Sequence, residues 1–191
     1  MSNDITDQLI KDMKKVSNEI EDVAQTQLDN RLAKSKPMKL GWSPDETEEI
    51  TSAMNQLLAN YSVHYQKLRN YHWNVKGSDF FDLHEQFEIQ YTEALENIDS
   101  IAERIRVFGK TPLSTLKDYL SVSVIKETGS DLSSDIMVRE LLSDYTLLLE
   151  SMAAVVDSAA AMGDSGTEEM VKVFVNSIEK HHWMLSAFMA K

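Results

Sequence analysis

The sequence predicts an all-α protein: a four-helix bundle with a short helix in the crossover between its second and third long helices, preceded by an N-terminal helical extension. Three observations carry the prediction. Apolar residues recur every three or four positions along four long stretches. The 191 residues hold only 6 Gly and 3 Pro, too few breakers for the many short strands and turns of a β fold. Helix stops fall between the stretches, except after Pro112, where the connection is too long for a hairpin between helices.

Taken in order, Ser43-Pro44-Asp45-Glu46 is the first start signal. Ser43 can cap, Pro44 suits the first helical position, and Glu46 completes a capping box. Ile50, Met54, Leu57, Tyr61, Tyr65, Leu68 and His72 then recur at helical spacing, predicting a helix over 44–73 whose last buried position is a histidine. The 74–79 segment with Gly77 is the turn. A second helix is expected over 80–108, with Phe87, Tyr91, Leu95, Ile98, Ala102, Ile105 and Phe108 as its buried stripe and Gly109 as its stop. A short helix is expected within 113–124. The third long helix starts near Ser133-Ser134-Asp135 and stops at Gly163. The fourth follows Gly166, carries Glu168 and Glu169 in its first turn, and runs to about Met189. Four long helices with one long crossover between the second and third is ferritin-like connectivity.

The domain is thus expected over 44–191, with 1–43 as an extension. In the extension, Ile5, Leu9, Met13, Val16, Ile20 and Val23 have helical spacing, and a linker follows over 34–42. Its Lys and Arg residues balance its acids, although 31–39 is locally basic through Arg31, Lys34, Lys36 and Lys39. The formal charge of −12 opposes nucleic-acid binding by the body of the domain and favours a cation as guest. Zero Cys excludes a disulfide scaffold or an iron–sulfur cluster and suits a reducing compartment. The N-terminus lacks the apolar segment of a signal peptide, and no apolar run approaches the roughly 18 residues of a membrane span. The expected setting is the cytoplasm, with no membrane partner.

The chemistry lies in five residues. His72, His84, Glu88, Asp99 and Glu103 stand as H-x11-H-x3-E-x10-D-x3-E on two amphipathic segments. Carboxylates with a minority of imidazoles and no thiolate suit a redox iron better than structural zinc or copper(I). At 100° per residue, His84, Glu88, Asp99 and Glu103 fall at about 0°, 40°, 60° and 100° on one helix face. Along the axis, however, His84 and Asp99 are about 22 Å apart. Ligands sit roughly 2 Å from a metal, so these residues cannot close on one ion within one chain. An antiparallel, twofold-related helix would bring the two ends together, giving an interfacial site, two per dimer.

Competing motifs are weaker. His84-Glu85-Gln86-Phe87-Glu88 lacks the second His of a zincin helix, and Glu179-x-x-His182 is half of a bundle di-iron signature without its second copy. His64 and His181 are expected to be structural or exposed. One histidine on an apolar stripe, or one acidic i,i+4 pair, is ordinary; the joint pattern is not.

At these residues the chain resembles a known family, the Dps proteins or mini-ferritins. The matching motifs are Tyr71-His72-Trp73-Asn74-Val75-Lys76-Gly77, Phe80-Phe81-Asp82-Leu83-His84-Glu85, Ile98-Asp99-Ser100-Ile101-Ala102-Glu103-Arg104 and Glu179-Lys180-His181-His182-Trp183-Met184. The resemblance implies a hollow homododecamer that oxidises Fe(II), preferentially with hydrogen peroxide, and stores ferric mineral against oxidative damage. It implies a di-iron site with His72 and His84 from one subunit and Asp99 and Glu103 from its twofold mate. Glu88 stands where many members have Asp. Trp73 becomes a candidate radical trap. Gly163-Asp164-Ser165-Gly166 with Glu168 and Glu169 resembles an acidic threefold pore, for which helix-dipole complementation is the plain alternative. Some relatives bind DNA through basic tails, so a nucleoid-associated, DNA-binding role through the extension is the alternative function. A soluble di-iron oxygenase would need an intrasubunit ligand set, which the sequence does not offer.

Overall fold

The computed structural model describes residues 13–15, 22–23, 25, 41–43 and 45–190. The chain divides into two compact units, Met1–Pro44 and Asp45–Lys191. In the first, residues 13–15, 22–23 and 25 are helical and exposed. The rest of the helix expected over 5–23, and the basic 31–39 stretch, lie outside the described residues.

The second unit is helical: α1 Glu46–Asn74, α2 Phe80–Val107, the short α3 Leu116–Val122, α4 Ser134–Met162 and α5 Ser165–Met189. α1 starts two residues after Pro44. Its N-cap is Asp45, whose own side chain makes no capping hydrogen bond. Glu46, Glu48 and Glu49 put negative charge at the N–H end of the helix, and Lys110 Nζ reaches Glu48 Oε2 at 2.5 Å. At the other stops the glycines act as expected. Gly163 is left-handed at φ 70° and closes α4, and Gly109 follows α2 at φ 78°.

Cross-links set the topology. Tyr71 meets Glu140 and Asn60 meets Ser151, so numbers rise along α1 as they fall along α4. Glu93 meets His181 and Arg104 meets Thr167, so α2 and α5 are likewise antiparallel. With α1 and α2 joined by a short turn, α2 and α4 must run the same way. The chain therefore has to travel back along the bundle, about 42 Å for a helix of 28 residues. That return is the segment holding α3. Asn60, fully buried, pins it: its Oδ1 accepts from Val124 N at 3.0 Å and from Ser123 Oγ at 3.1 Å, while its Nδ2 donates to Ser151.

The α1 stripe is buried as expected apart from Tyr65, which is half-buried. The α2 stripe is out of phase. Leu83, Phe87, Gln90, Ala94, Asn97, Ile101 and Ile105 face the core, whereas Leu95 is 51% exposed and Ile98 half-buried. Hydrogen bonds explain the shift. Gln90 takes the Tyr145 hydroxyl and Asn97 donates to Tyr61, so two polar residues are satisfied inside and the apolar ones on the neighbouring face are left outside. That face, with Tyr65, Arg69, Leu116 and Leu120, lines a groove of about 560 Å³.

α4 is long and apolar enough, by length and composition alone, to cross a membrane. Ser, Asp and Glu interrupt it, which is why it does not read as an unbroken apolar run. Here its Met137, Leu141, Tyr145, Leu148, Met152 and Val155 are buried in the bundle, where α4 packs on α1 and α5.

α5 begins at Ser165, ahead of the expected start after Gly166. Its N-cap is Asp164, 2% exposed, whose carboxylate accepts from Thr167 N at 3.3 Å and from Arg104 Nη2 at 2.5 Å. A Cβ on Gly166 would come within 3.2 Å of that guanidinium, so glycine permits the approach. Asp164 is therefore a buried cap and ion-pair partner within the chain, not an open acid. Asp164→Ala is expected to lower stability by about 3 kcal/mol, from the lost cap and a charge-assisted bond. Calorimetric melting checks this; an unchanged midpoint would show that the pair contributes nothing.

Candidate metal centre

His72 lies in the last turn of α1 and His84 in the second turn of α2, brought together by the tight connection at 75–79, where Gly77 takes φ 108°. Their rings stack with centroids 3.8 Å apart at 19°. Each ring is held by the other residue's backbone: His72 Nδ1 lies 2.9 Å from His84 O, and His84 Nδ1 lies 2.8 Å from His72 O. A carbonyl oxygen only accepts, so both Nδ1 atoms carry the proton and both Nε2 atoms keep a lone pair. This is how metal-binding imidazoles are set: the outer hydrogen bond fixes the tautomer and the ring plane. The reciprocal bond also caps an end-of-helix carbonyl that α1 cannot satisfy itself.

Glu88 sits one turn beyond His84. Ligand atoms of His72, His84 and Glu88 all lie within 4.8 Å of one another. Ligands roughly 2.1 Å from one ion stand at most about 4 Å apart, so a small side-chain adjustment of exposed Glu88 closes the set. Among the described residues this is the one group of three or more His, Asp or Glu close enough to share an ion. Phe80 stacks on His84 at 5.0 Å, and Tyr91 stands edge-on to His72 at 5.3 Å.

Asp99 and Glu103 do not join the cluster. Both are exposed on α2, further along the same helix. Trp73 is 57% exposed, with the Arg69 guanidinium 4.7 Å over its ring. Glu168 pairs with Lys172 one turn on, and Glu169 is exposed.

The bundle interior is polar but built differently. His64 and Lys67 both contact buried Asp144, at 3.2 and 2.9 Å. His181 Nε2 meets Glu93 at 2.9 Å, beside a cavity of about 10 Å³, room for one water. Its Nδ1 is buried without a hydrogen-bond partner among the described residues. Both histidines are buried and structural. Glu179 is exposed and His182 leans on Tyr145, so the half-signature Glu179-x-x-His182 assembles no site.

The hydrogen bond from His181 holds the Glu93 carboxyl below the usual range. A carboxyl depressed in the folded state adds stability that is complete above its unfolded pKa and lost as pH falls through the folded value. The loss thus belongs below about pH 4.3. Glu93→Gln is expected to flatten the acid limb of the melting-temperature profile there; an unaltered limb would detach this pair from acid stability.

Tyr91 is the residue that sequence reading misplaced, counting it as core. The signal was present: three residues after Glu88 and seven after His84, it shares their helix face.

A family model described as a ferritin-like domain matches residues 51–191. General stress protein 20U of Bacillus subtilis is 39% identical over 143 residues, 75% of this chain and 99% of its own. DNA protection during starvation protein 2 of Bacillus anthracis is 38% identical over 142 residues, 74% of this chain and 97% of its own. Among solved structures, Dps from Vibrio cholerae O1, described as a member of a broad superfamily of ferritin-like diiron-carboxylate proteins, is similar with a TM-score of 0.77. It is 33% identical, covering 81% of this chain and 99% of that one. The bundle and the family match over residues 51–191 therefore define a ferritin-like protein. Within that class the chain belongs to the Dps family.

Proposed function

We propose that this protein is a ferroxidase that oxidises Fe(II), preferentially with hydrogen peroxide, and stores the ferric product inside a hollow homododecamer in the cytoplasm. The observation that carries the reading is the reciprocal lock of His72 and His84 beside Glu88, which ties up both Nδ1 atoms and leaves Nε2 as the ligand nitrogen of each ring. Iron is the substrate. In the assembled site, Asp99 and Glu103 of a twofold mate complete the oxygen-rich set that a hard, oxidisable cation prefers.

The apolar face of α2 supports that assembly. At 100° per residue Leu95 falls at about 20°, between His84 and Glu88, and Ala102 falls with His84. The exposed apolar residues thus share the azimuth of the ligands, so whatever covers the groove also covers the site. Two ferrous ions held there give two electrons to one peroxide, which with two protons becomes two waters, and no hydroxyl radical is released.

Size-exclusion with light scattering, then anaerobic Fe(II) loading and peroxide addition, tests the reading. A dodecamer that consumes two Fe(II) per peroxide is expected. A monomer, or oxidation no faster than in protein-free buffer, would sink it. Glu168 and Glu169 are the remaining pore acids. Glu168→Gln with Glu169→Gln is expected to slow iron uptake at low salt, where attraction to a narrow opening is largest, with only a small loss of stability from the lost Lys172 pair and helix-dipole contacts. Uptake at the parental rate would leave them as helix-dipole partners.

DNA binding is the second reading. It is favoured by the basic residues at 31–39 and by the names of relatives such as the Bacillus anthracis protein, and opposed by the charge of −12 per chain. It requires that the assembled protein retard DNA at low salt.

A further inference from the structure

We propose that Tyr91, with Glu88 as its proton acceptor and Tyr65 as the next station, is the one-electron donor that completes peroxide reduction when a site holds a single iron. The proposal rests on the ferroxidase reading above. A site with two ferrous ions matches a two-electron oxidant, but filling passes through a state with one. One Fe(II) reduces one peroxide to hydroxide and a hydroxyl radical, becoming Fe(III). The second electron must then come from the protein or be taken at random.

The geometry points to Tyr91. Its ring stands edge-on to His72 with centroids 5.3 Å apart, and its hydroxyl lies 3.4 Å from Glu88 Oε1. A phenol is easily oxidised only if its proton leaves with the electron, and here a carboxylate oxygen faces that proton. The electron reduces the hydroxyl radical to hydroxide. The phenolic proton passes to Glu88 and from there to the hydroxide, giving water. The sum is one phenol and one hydroxyl radical converted to one tyrosyl radical and one water. Tyr65, with its ring 6.2 Å from that of Tyr91, then gives up an electron and a proton and restores the Tyr91 phenol.

Trp73 is the alternative donor, and its surroundings argue against it. Arg69 holds its guanidinium 4.7 Å over the indole and 5.3 Å over the Tyr65 ring. Removing an electron from an indole leaves a radical cation beside that fixed positive charge, which is unfavourable. A tyrosine that sheds its proton leaves a neutral radical, which the guanidinium does not oppose in the same way. The hole therefore stays on the tyrosine pair.

Rapid freeze-quench electron paramagnetic resonance tests this on the full-length assembled protein, loaded anaerobically with one Fe(II) per site and mixed with hydrogen peroxide. A radical whose spectrum narrows on ring-deuteration of tyrosine is expected. Tyr91→Phe should lose it, with hydroxyl radical then appearing on an external spin trap, and Trp73→Phe should keep it. Tyr65→Phe should confine the radical to Tyr91 and change its lifetime, which gives a reading independent of the Tyr91→Phe variant. Co(II) absorption checks that each variant still forms the site. A radical that survives Tyr91→Phe, or that disappears in Trp73→Phe, overturns the proposal. Iron oxidation with no protein radical also overturns it, while leaving the ferroxidase reading intact. If iron is not oxidised at all, both fall.

Discussion

Replacing His84 and Asp99 together by alanine is expected to slow peroxide-dependent iron oxidation by at least about 100-fold, since even groups one layer outside a metal cost 10–100-fold when removed. The fold should survive. Asp99 is exposed, and His84 is half-buried near the start of α2 rather than in the bundle core. Its removal frees one end-of-helix carbonyl and one ring stack, worth about 1 kcal/mol as a lost hydrogen bond. Stopped-flow oxidation of matched, fully assembled samples is the measurement. Rates within twofold of the parent protein would show that iron is oxidised elsewhere. The interior pair Glu93 and His181 would then be the next place to look, since it carries an imidazole nitrogen with no partner among the described residues.

How far the sequence carried the argument depends on what kind of force placed each residue. Helix ends written in backbone chemistry were legible: Gly109 and Gly163 stop α2 and α4 because few other residues take a positive φ. The candidate ligands were legible as a pattern because coordination demands particular atoms at particular spacing; the structure brings His72, His84 and Glu88 near one another and leaves Asp99 and Glu103 apart on the same helix. What pattern-reading missed was set by polar partners distant in sequence. Gln90 and Asn97 are core residues only because Tyr145 and Tyr61 meet them, and that knowledge lies on other helices. Asp164 looked like an exposed acid in a glycine turn; Arg104, sixty residues earlier, makes it a buried cap. The same blindness shifted the α2 stripe and filed Tyr91 as core. The residues wrongly assigned to the core, Leu95 and Ile98, form the apolar face that a single chain leaves uncovered.

That uncovered face underlies the second large effect. Subunits carrying His72→Ala/His84→Ala and subunits carrying Asp99→Ala/Glu103→Ala should each be inactive, yet mixing them before assembly should restore activity. In an antiparallel pair of α2 helices about a twofold axis, residues facing each other have numbers with a constant sum. His84 opposite Glu103 and Glu88 opposite Asp99 give the same sum, so one axis, crossing between residues 93 and 94, satisfies both pairings at once. Leu95, 51% exposed, then lies beside the axis, where it would meet its own symmetry mate. In a mixed dimer one site joins two damaged halves and the other joins two intact ones. Random pairing makes half of the dimers mixed, so about a quarter of the parental rate is expected. Mass spectrometry of differently tagged subunits establishes that mixing occurred. Recovery near that level would locate the site between chains, whereas proven mixed dimers without recovery would overturn the pairing of these two ligand sets across the twofold axis.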